Sequence, residues 1–403
     1  MRDVLSLSRR QEAWRLSRCI NLIPSENITS PQVRSLLSSD FGHRYSLPVK
    51  AEIHGSFVEN AYRGTRYLDE VEALGEDLAR QLFAAGYATL KPLSGHVSGL
   101  ITLISTCRPG DHILVVGPGD GGYDGYGPDY LPRVLGLGVD YLPFDRTRWN
   151  LRVEECSRLI EESKPRLVML GASLFLFPYE MTDLRQACDA SGSILAYDAS
   201  HVMGLIAGGK FQRPLEEGAD VVLGSTHKSL FGPQGGIIAA RTELQHRLER
   251  SITWKALDNA HWNRIAALTQ ALLEARKFGK VYAKAVVANA QRLARELDKR
   301  GMGVRFRQEG YTRSPQVLLD GAVVREGFGY TMNDLAVKLE SSNIIVDAIG
   351  RLGTNEVTRM GAGEEEMAEI ADCIVRCASG EDVAAEVGRI RQGLKLSYAF
   401  EEE

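Results

Sequence analysis

The sequence predicts an α/β fold in which a mostly parallel central sheet is covered by helices, with a smaller α/β domain at the C-terminal end. Short apolar runs typical of buried strands alternate with amphipathic segments typical of helices. The chain has 403 residues, which is more than one hydrophobic core usually serves. We predict N-terminal helices over residues 1–38, a large domain over 39–257, and a linking helix with the small domain over 258–403.

The composition favours a protein that acts on a small molecule. It has 48 basic and 52 acidic residues, a net charge of -4 that indicates no nucleic-acid or membrane surface as the main partner. Its cysteines are scattered without a CxxC pair, which is typical of reduced cytoplasmic thiols. The N-terminus has no apolar signal core, and no run is long enough to span a bilayer. We expect a cytoplasmic location and no metal.

The N-terminal region is predicted to be helical with one ordered loop. Residues 8–19 have helical periodicity, and a new helix begins after the cap residue Ser30. The intervening loop, residues 21–31, is either a structural turn or a substrate contact through Ser25 and Glu26.

Residues 39–66 are irregular in pattern and are predicted to form a long loop. A loop of this length inside a compact domain is usually functional or disordered, and its aromatic content favours function. The residues that could carry that function are Tyr45, Tyr62, His43, His54, Glu52 and Glu59.

The turn Ser94-Gly95-His96 precedes an apolar helix predicted over residues 97–106. Backbone N–H groups and the helix dipole at such a start can hold a phosphate. The turn is therefore either a phosphate site or an ordinary helix cap.

Five apolar runs are predicted to be the strands of the central sheet: 113–116, 139–142, 167–171, 194–198 and 221–225. Ligands of such sheets bind at the carboxyl ends of the strands. Asp198 ends one strand, Lys228 follows the next, and Tyr123 follows an earlier one. We expect these three residues to lie at one site.

Lys228 lies in Ser225-Thr-His-Lys-Ser-Leu-Phe-Gly, between an apolar strand and a glycine-rich turn. Alone, it is either a surface lysine or a desolvated amine that can form a Schiff base with pyridoxal 5'-phosphate (PLP). The other strand-end residues favour the second interpretation.

PLP requires a lysine, a carboxylate against its ring nitrogen, an anion site for its phosphate and a flat group on its ring. Lys228, Asp198, the Ser94-Gly95-His96 turn and Tyr123 provide these in turn. Additional contacts are predicted from Ser225, Thr226 and His201.

His201 is either a cofactor or substrate contact or a structural histidine. Alternation along the strand would direct His227 to the opposite face of the sheet from Lys228. Arg351, in Asp347-Ala-Ile-Gly-Arg-Leu-Gly-Thr354, is the best candidate to hold a substrate carboxylate, and the alternative is a surface arginine.

The chain resembles serine hydroxymethyltransferases over nearly its whole length. The motifs that carry the resemblance are Leu22-Ile-Pro-Ser-Glu-Asn-Ile-Thr-Ser-Pro31, Pro92-Leu-Ser-Gly95, Asp198-Ala-Ser-His201, Ser225-Thr-His-Lys-Ser-Leu-Phe-Gly-Pro-Gln-Gly-Gly236 and Arg351-Leu-Gly-Thr354. The resemblance implies a fold-type I PLP-dependent transferase that acts as a homodimer with shared active sites. It also implies cleavage of serine to glycine with transfer of one carbon to a reduced pterin such as tetrahydrofolate.

Carried onto this sequence, the resemblance makes Lys228 the Schiff-base residue, Asp198 the partner of the ring nitrogen and Arg351 the carboxylate ligand. It assigns the cofactor phosphate to Ser94 and Gly95. The family's two loop tyrosines correspond to Tyr45 and Tyr62, and its stacking histidine is replaced by Tyr123, which also presents a flat face.

Two departures from the family pattern concern the reaction. The catalytic glutamate of a Tyr-x-Glu-Gly sequence is absent from Tyr45-Ser-Leu-Pro48, so Glu59, or less favourably Glu52, would have to replace it. The Pro/Asn-rich loop that precedes the arginine motif is also missing, which argues against classical folate binding.

Three hypotheses follow from the sequence. The first is reversible aldol cleavage of serine or a related β-hydroxy-α-amino acid, with hydroxymethyl transfer as its best-supported form. The second is a folate-independent aldolase or transaldolase of specialised metabolism. The third is a catalytically silent binding homologue, against which Lys228 and Asp198 argue together.

Overall fold

The computed structural model describes residues 3–401, apart from the side chains of residues 49–51. The chain divides into two compact units, which we describe separately. The large unit comprises Thr29–Lys280 and Phe400–Glu403, and the small unit comprises Met1–Ile28 and Val281–Ala399. The segments predicted from the sequence were instead bounded at residues 38 and 257.

The α-helices of the described chain are α1 (Val4–Ser17), α2 (Pro31–Leu37), α3 (Arg66–Phe83), α4 (Gly95–Thr106), α5 (Leu131–Leu135), α6 (Val153–Ser163), α7 (Thr182–Ser191), α8 (Met203–Ala207), α9 (Gln245–Ser251), α10 (Trp262–Lys299), α11 (Gly321–Phe328), α12 (Met332–Ser341), α13 (Asn355–Arg359), α14 (Glu364–Ala378) and α15 (Ala384–Gly393). A π-helix, Ile252–Leu257, follows α9 directly. Single 3-10 turns lie at Asp40–His43, Pro118–Asp120, Asp124–Tyr126, Thr242–Leu244 and Arg307–Glu309.

The strands are β1 (Ile20–Asn21), β2 (Pro48–Ile53), β3 (Ser56–Asn60), β4 (Tyr87–Thr89), β5 (His112–Val115), β6 (Gly138–Tyr141), β7 (Phe144–Asp145), β8 (Asn150–Leu151), β9 (Leu167–Gly171), β10 (Ile194–Asp198), β11 (Val221–Ser225), β12 (Gly236–Ala240), β13 (Gln316–Leu318), β14 (Ile344–Ile345) and β15 (Arg351–Gly353). The five strands predicted for the central sheet are found as β5, β6, β9, β10 and β11, within one or two residues.

The central sheet of the large unit has the strand order β4-β12-β11-β10-β9-β5-β6. Its middle strands are parallel, whereas β12 is antiparallel to both of its neighbours. All five residues of β9 and of β11 are buried, as expected for strands that are covered on both faces. The predicted α/β fold with a mostly parallel sheet is therefore confirmed.

The small unit has its own core, to which α10, α12, α14 and α15 contribute buried Leu, Ile, Val and Met side chains. Strand β1 pairs in parallel with β14, with Ile20 opposite Ile344. This pairing is why N-terminal residues belong to the same unit as the C-terminal part of the chain. A second pair, β13 and β15, is antiparallel.

The expectation of an irregular loop over residues 39–66 was wrong. Strands β2 and β3 form an antiparallel hairpin there. Its turn is His54-Gly55, and both residues have positive φ, 52° and 77°. Two such residues are typical of the tight turn that suits the twist of a hairpin.

The linking helix predicted at the start of residues 258–403 is α10, which continues without a break to Lys299. Gly279 lies inside α10, where a Cβ would come 3.7 Å from the Cα of Gly208, an ordinary contact distance. Among residues 3–401, no helix is long and apolar enough to cross a membrane.

Candidate active site

A cavity of about 170 Å³ lies at the carboxyl ends of β10 and β11, entirely within the large unit. Its lining residues are Ser94, Gly95, His96, Tyr123, Ala172, Ser173, Asp198, Ser200, His201, Ser225, His227 and Lys228. The strand-end residues selected from the sequence therefore lie around one space. The parallel strands bring them together because their carboxyl ends meet at one edge.

Lys228 lines this cavity, and its amine lies beside His201. The chain leaves β11 after Ser225, and the Lys228 Nζ lies 3.3 Å from the Nε2 of His201. His201 is 4% exposed. An amine next to a buried imidazole has a nearby group with which to exchange or share a proton.

Asp198 is held by three hydrogen bonds. Its Oδ2 accepts from the Tyr126 hydroxyl at 2.7 Å, and its Oδ1 accepts from the backbone N–H and the hydroxyl of Ser200 at 2.9 and 2.6 Å. Burial, together with the Asp198 charge, raises the pKa of Tyr126 well above its usual value, so this phenol remains a donor. The carboxylate is thus fixed in position at the floor of the cavity.

The N-terminus of α4 forms one part of the cavity lining. Ser94 caps the helix by accepting from the Val97 N–H at 3.1 Å, and the N–H groups of Gly95 and His96 lie in the first turn. Such N–H groups have no partner within the helix. A Cβ on Gly95 would come 2.9 Å from the Ser225 nitrogen, so only glycine lets α4 start this close to β11.

The Ser225 hydroxyl is buried and has no hydrogen-bond partner in the described part of the chain. The residue is 3% exposed, and its Oγ makes no hydrogen bond to any described residue. A buried polar atom of this kind usually marks a bound ligand or water. Its place beside Gly95 makes it a natural donor to a phosphate at the start of α4.

Thr226, which the sequence suggested alongside Ser225, uses its donors within the chain. Its hydroxyl donates to the Pro233 carbonyl at 2.7 Å, and its backbone N–H donates to Gly235 at 3.0 Å. It is not part of the cavity lining. The structure therefore favours Ser225 over Thr226 as a phosphate ligand.

Tyr123 and His96 lie on the wall of the cavity and contact each other. The Tyr123 hydroxyl is 3.0 Å from the Nδ1 of His96. The Tyr123 ring packs edge-on against Tyr126, with centroids 5.3 Å apart. Tyr123 therefore packs against Tyr126 and also lines the cavity in which a flat ring would bind.

His227 is among the residues that line the same cavity as Lys228. The strand ends at Ser225, so alternation no longer applies two residues later. Burial, followed by the charge of Lys228, lowers the pKa of His227 to about 4. His227 is therefore neutral near pH 7, and its buried Nδ1 lacks a partner among the described residues.

The other residues missed by sequence reasoning are Tyr126 and Ser200. Their contacts with Asp198 lie 72 and 2 residues apart in the chain. The Tyr126 contact has no local sequence signal. Ser200, which lies in the Asp198-Ala-Ser-His201 motif, is an Asx-turn residue that the motif could have indicated.

The hairpin and its flanking tyrosines form a separate cluster in the large unit. The Tyr45 and Tyr62 rings lie 4.6 Å apart, and the Tyr45 hydroxyl donates to Asp258 at 2.8 Å. Glu52 and Glu59, the two candidates for the missing glutamate, are exposed on β2 and β3. Neither belongs to the lining of the Lys228 cavity.

Ser25 and Arg351 lie in the small unit. Ser25 is half-buried in the loop before α2. Arg351 is the first residue of β15, and its Nε donates to the Asp347 carboxylate at 2.7 Å. This hydrogen bond holds the guanidinium group in one position. Their predicted roles as substrate ligands stay predictions.

The cavity fits PLP on the grounds of its donor set. Ser225 offers a buried hydroxyl with no partner in the described chain, and the space at Gly95 is closed to any side chain. Asp198 offers a positioned carboxylate, and Lys228 offers the amine. These are the groups that the phosphate, ring nitrogen and aldehyde of PLP require.

Comparisons with known proteins agree with this geometry. Residues 3–374 match the family described as serine hydroxymethyltransferase. The serine hydroxymethyltransferase of Methanopyrus kandleri is 40% identical over 99% of this chain and 94% of its own length. That of Methanocaldococcus jannaschii is 36% identical over 100% of this chain and 96% of its own.

A solved structure shares the fold as well. The crystal structure of L-threonine transaldolase from Pseudomonas fluorescens superposes with a TM-score of 0.87 and 26% identity, covering 98% of this chain and 93% of that one. The two comparisons thus point to one type of fold and to two kinds of reaction.

Proposed function

The chain belongs to the serine hydroxymethyltransferase family, and we propose from this premise that it cleaves and forms the Cα–Cβ bond of a β-hydroxy-α-amino acid, with serine and glycine as the substrate pair. It is a PLP-dependent enzyme of the transferase and aldolase type. The observation that carries the proposal is the cavity in which Lys228 lies 3.3 Å from His201 beside the fixed carboxylate of Asp198.

Bound PLP supplies an electron sink for the bond that breaks. The chain supplies orientation and proton positions. Asp198, held by Tyr126 and Ser200, keeps a proton on the ring nitrogen, and Ser225 with the first turn of α4 binds the phosphate. Lys228 provides the amine, and His201 holds or receives a proton next to it.

We place the substrate carboxylate on Arg351, since a guanidinium binds a carboxylate through two parallel hydrogen bonds. Ser25 is proposed as a second substrate contact. Both assignments rest on the family motifs. Arg351→Lys should raise the KM for serine more than it lowers kcat, because it keeps the charge and loses the second hydrogen bond.

We propose that the enzyme is a homodimer with shared active sites, in which the β2–β3 hairpin of one copy contributes residues to the active site of the other. The hairpin region exposes Phe57, Ile53 and Tyr62 to 69, 40 and 43%. Apolar groups that are exposed together favour burial against a partner. In that arrangement Tyr45, Tyr62 and the carboxylate of Glu59 reach the reacting β-hydroxyl.

This arrangement can be tested by mixing two inactive variants. Lys228→Ala and Glu59→Gln protomers, unfolded and refolded together, should regain activity because a mixed dimer contains one intact site. If mixing restores nothing although mixed dimers form, the shared site is refuted.

A folate-independent aldolase or transaldolase is the second candidate function. Two observations favour it: the Tyr-x-Glu-Gly sequence is absent after Tyr45, and only five residues connect β14 to β15, where the family inserts a loop. The transaldolase neighbour shows that this fold supports such a reaction in another protein. A silent binding homologue is disfavoured, because a scaffold needs neither Lys228 nor the fixed carboxylate of Asp198.

The experiment that separates these functions uses the PLP-loaded protein with L-serine or L-threonine, each with and without tetrahydrofolate. Glycine release from serine that depends on the pterin supports hydroxymethyl transfer. Aldehyde release without the pterin supports the aldolase. A protein that binds PLP but releases glycine from neither substrate contradicts both. We further propose a cytoplasmic location, which agrees with the free state of its described cysteines.

A further inference from the structure

A second cavity of the large unit is strongly cationic. It measures about 580 Å³. Its charged and titratable lining residues are Arg108, Asp111, Arg166, His246, Arg247, Arg250 and Lys255. Asp111 and Arg166 come directly before β5 and β9, so this cavity lies at the amino-terminal edge of the sheet. Lys228 lies at the carboxyl edge, and the two cavities share no lining residue.

Cations outnumber carboxylates in the lining of this cavity. Its lining has five side chains with a fixed positive charge and one carboxylate, in a protein of net charge -4. That carboxylate, on Asp111, already accepts the backbone N–H of Arg108 at 2.7 Å. In the described part of the chain, no carboxylate lies at ion-pair distance from Arg247, Arg250 or Lys255. Elsewhere in this unit, Arg185 and Arg241 share Asp220.

The elements around the cavity carry these cations close together in the chain, and one of them is anchored by a hydrogen bond. Arg247 and Arg250 lie about one turn apart on α9, and Lys255 follows on the π-helix Ile252–Leu257. π-Helical turns are rare and are frequent at functional sites. Arg166 is anchored through its Nε, which donates to the Thr106 carbonyl at 2.7 Å. A guanidinium that is fixed before binding loses less entropy when a ligand arrives.

An apolar cavity of about 380 Å³ adjoins the cationic one. The two share Ile104, Cys107, Arg108 and Lys255. The rest of the apolar cavity is formed by Leu103, Pro109, Val134, Leu135 and Leu137. Val134 is 80% exposed, so its side chain is open to contact with a ligand. The site therefore combines a multiply charged compartment with an apolar one.

We propose that the joined cavities bind a small molecule in which two or three phosphate groups are attached to an apolar group, as in a nucleoside polyphosphate. Guanidinium groups bind phosphate oxygens in pairs, and a single phosphate would leave most of these cations uncompensated. The size is that of a small-molecule site. The phosphates bind Arg166, Arg247 and Arg250, and the apolar group lies against Val134.

The test is a calorimetric titration of the PLP-saturated protein with tripolyphosphate and with ATP, free of metal ions and at fixed ionic strength. Both should bind, and ATP should bind more tightly. Replacing two cations with Arg247→Gln and Arg250→Gln should weaken the binding of both ligands by at least about tenfold, because two charged hydrogen-bond donors are lost. Val134→Ser should remove the advantage of ATP and leave tripolyphosphate unaffected.

The matched control is the double variant Arg148→Gln and Arg158→Gln. It removes the same charge from exposed positions outside the cavity, and it should bind both ligands as the wild type does. The proposal is overturned if tripolyphosphate does not bind, or if the control loses as much affinity as the cavity variant. Equal affinities for ATP and tripolyphosphate overturn its apolar part. Glycine release from serine is measured on the same samples, so failure here is distinguishable from failure of the proposed function.

Discussion

The Ser225 hydroxyl gives a prediction in which two measurements change in opposite directions. This hydroxyl is buried and makes no hydrogen bond to any described residue. An unsatisfied buried polar group costs about 1–3 kcal/mol. Ser225→Ala should therefore leave the free energy of unfolding of the PLP-free protein unchanged or raise it by about 1 kcal/mol.

The affinity for PLP should fall in the same variant. A hydrogen bond from the Ser225 hydroxyl to a charged phosphate contributes about 1.5–3 kcal/mol. Its loss corresponds to an increase of about 10- to 150-fold in the Kd for PLP. The assays are urea unfolding of the PLP-free protein and a spectroscopic titration with PLP.

Thr226→Val is the matched control, because its hydroxyl is one residue away and donates to the Pro233 carbonyl. This variant should lose about 1–3 kcal/mol of stability and keep its affinity for PLP. The reasoning is refuted if Ser225→Ala binds PLP as tightly as the wild type, or if the two variants exchange their effects.

Three further outcomes are expected. Burial, then the neighbouring charge of Glu72, raises the pKa of Glu76 to about 7 from 4.5, so the folded protein retains a proton that the unfolded chain releases. Its contribution to stability is fully present below about pH 4.5 and is lost, by about 3 kcal/mol in total, as the pH rises through 7. In urea unfolding Glu76→Gln should weaken this pH dependence, and an unchanged slope contradicts the prediction. Tyr126→Phe should keep the fold and reduce kcat about tenfold, because Asp198 loses one of its three hydrogen bonds, and a wild-type kcat would show that this bond is irrelevant. Glu59→Gln should lower turnover if this carboxylate handles the proton, and unchanged turnover rules it out.

Sequence reasoning located the strand-end residues because one geometric rule covers them. Parallel strands bring their carboxyl ends together, so Asp198 and Lys228 could be placed at one site without knowledge of any contact. Ser94 followed from the rule for helix N-termini. His227 could not be placed, since its direction depends on where β11 ends and the backbone turns.

The β2–β3 hairpin could have been predicted from its turn residues, although the alternation of apolar and polar residues did not reveal it. His54-Gly55 lies between two runs of strand length, and an X-Gly pair at such a position is typical of a tight hairpin turn.

Contacts between distant parts of the chain were outside the reach of local patterns. Tyr126 and Asp198 are separated by 72 residues, and no periodicity links them. The cationic cavity likewise combines Arg108, Arg166 and α9, which meet only because β5 and β9 are neighbours in the sheet.

The most direct test of the central claim is to reduce the PLP-loaded protein with borohydride and to map the modified peptide by mass spectrometry. The cavity around Lys228 predicts one phosphopyridoxyl group, on Lys228, and none in Lys228→Ala. Labelling of another lysine, or a protein that takes up no PLP, would contradict the account.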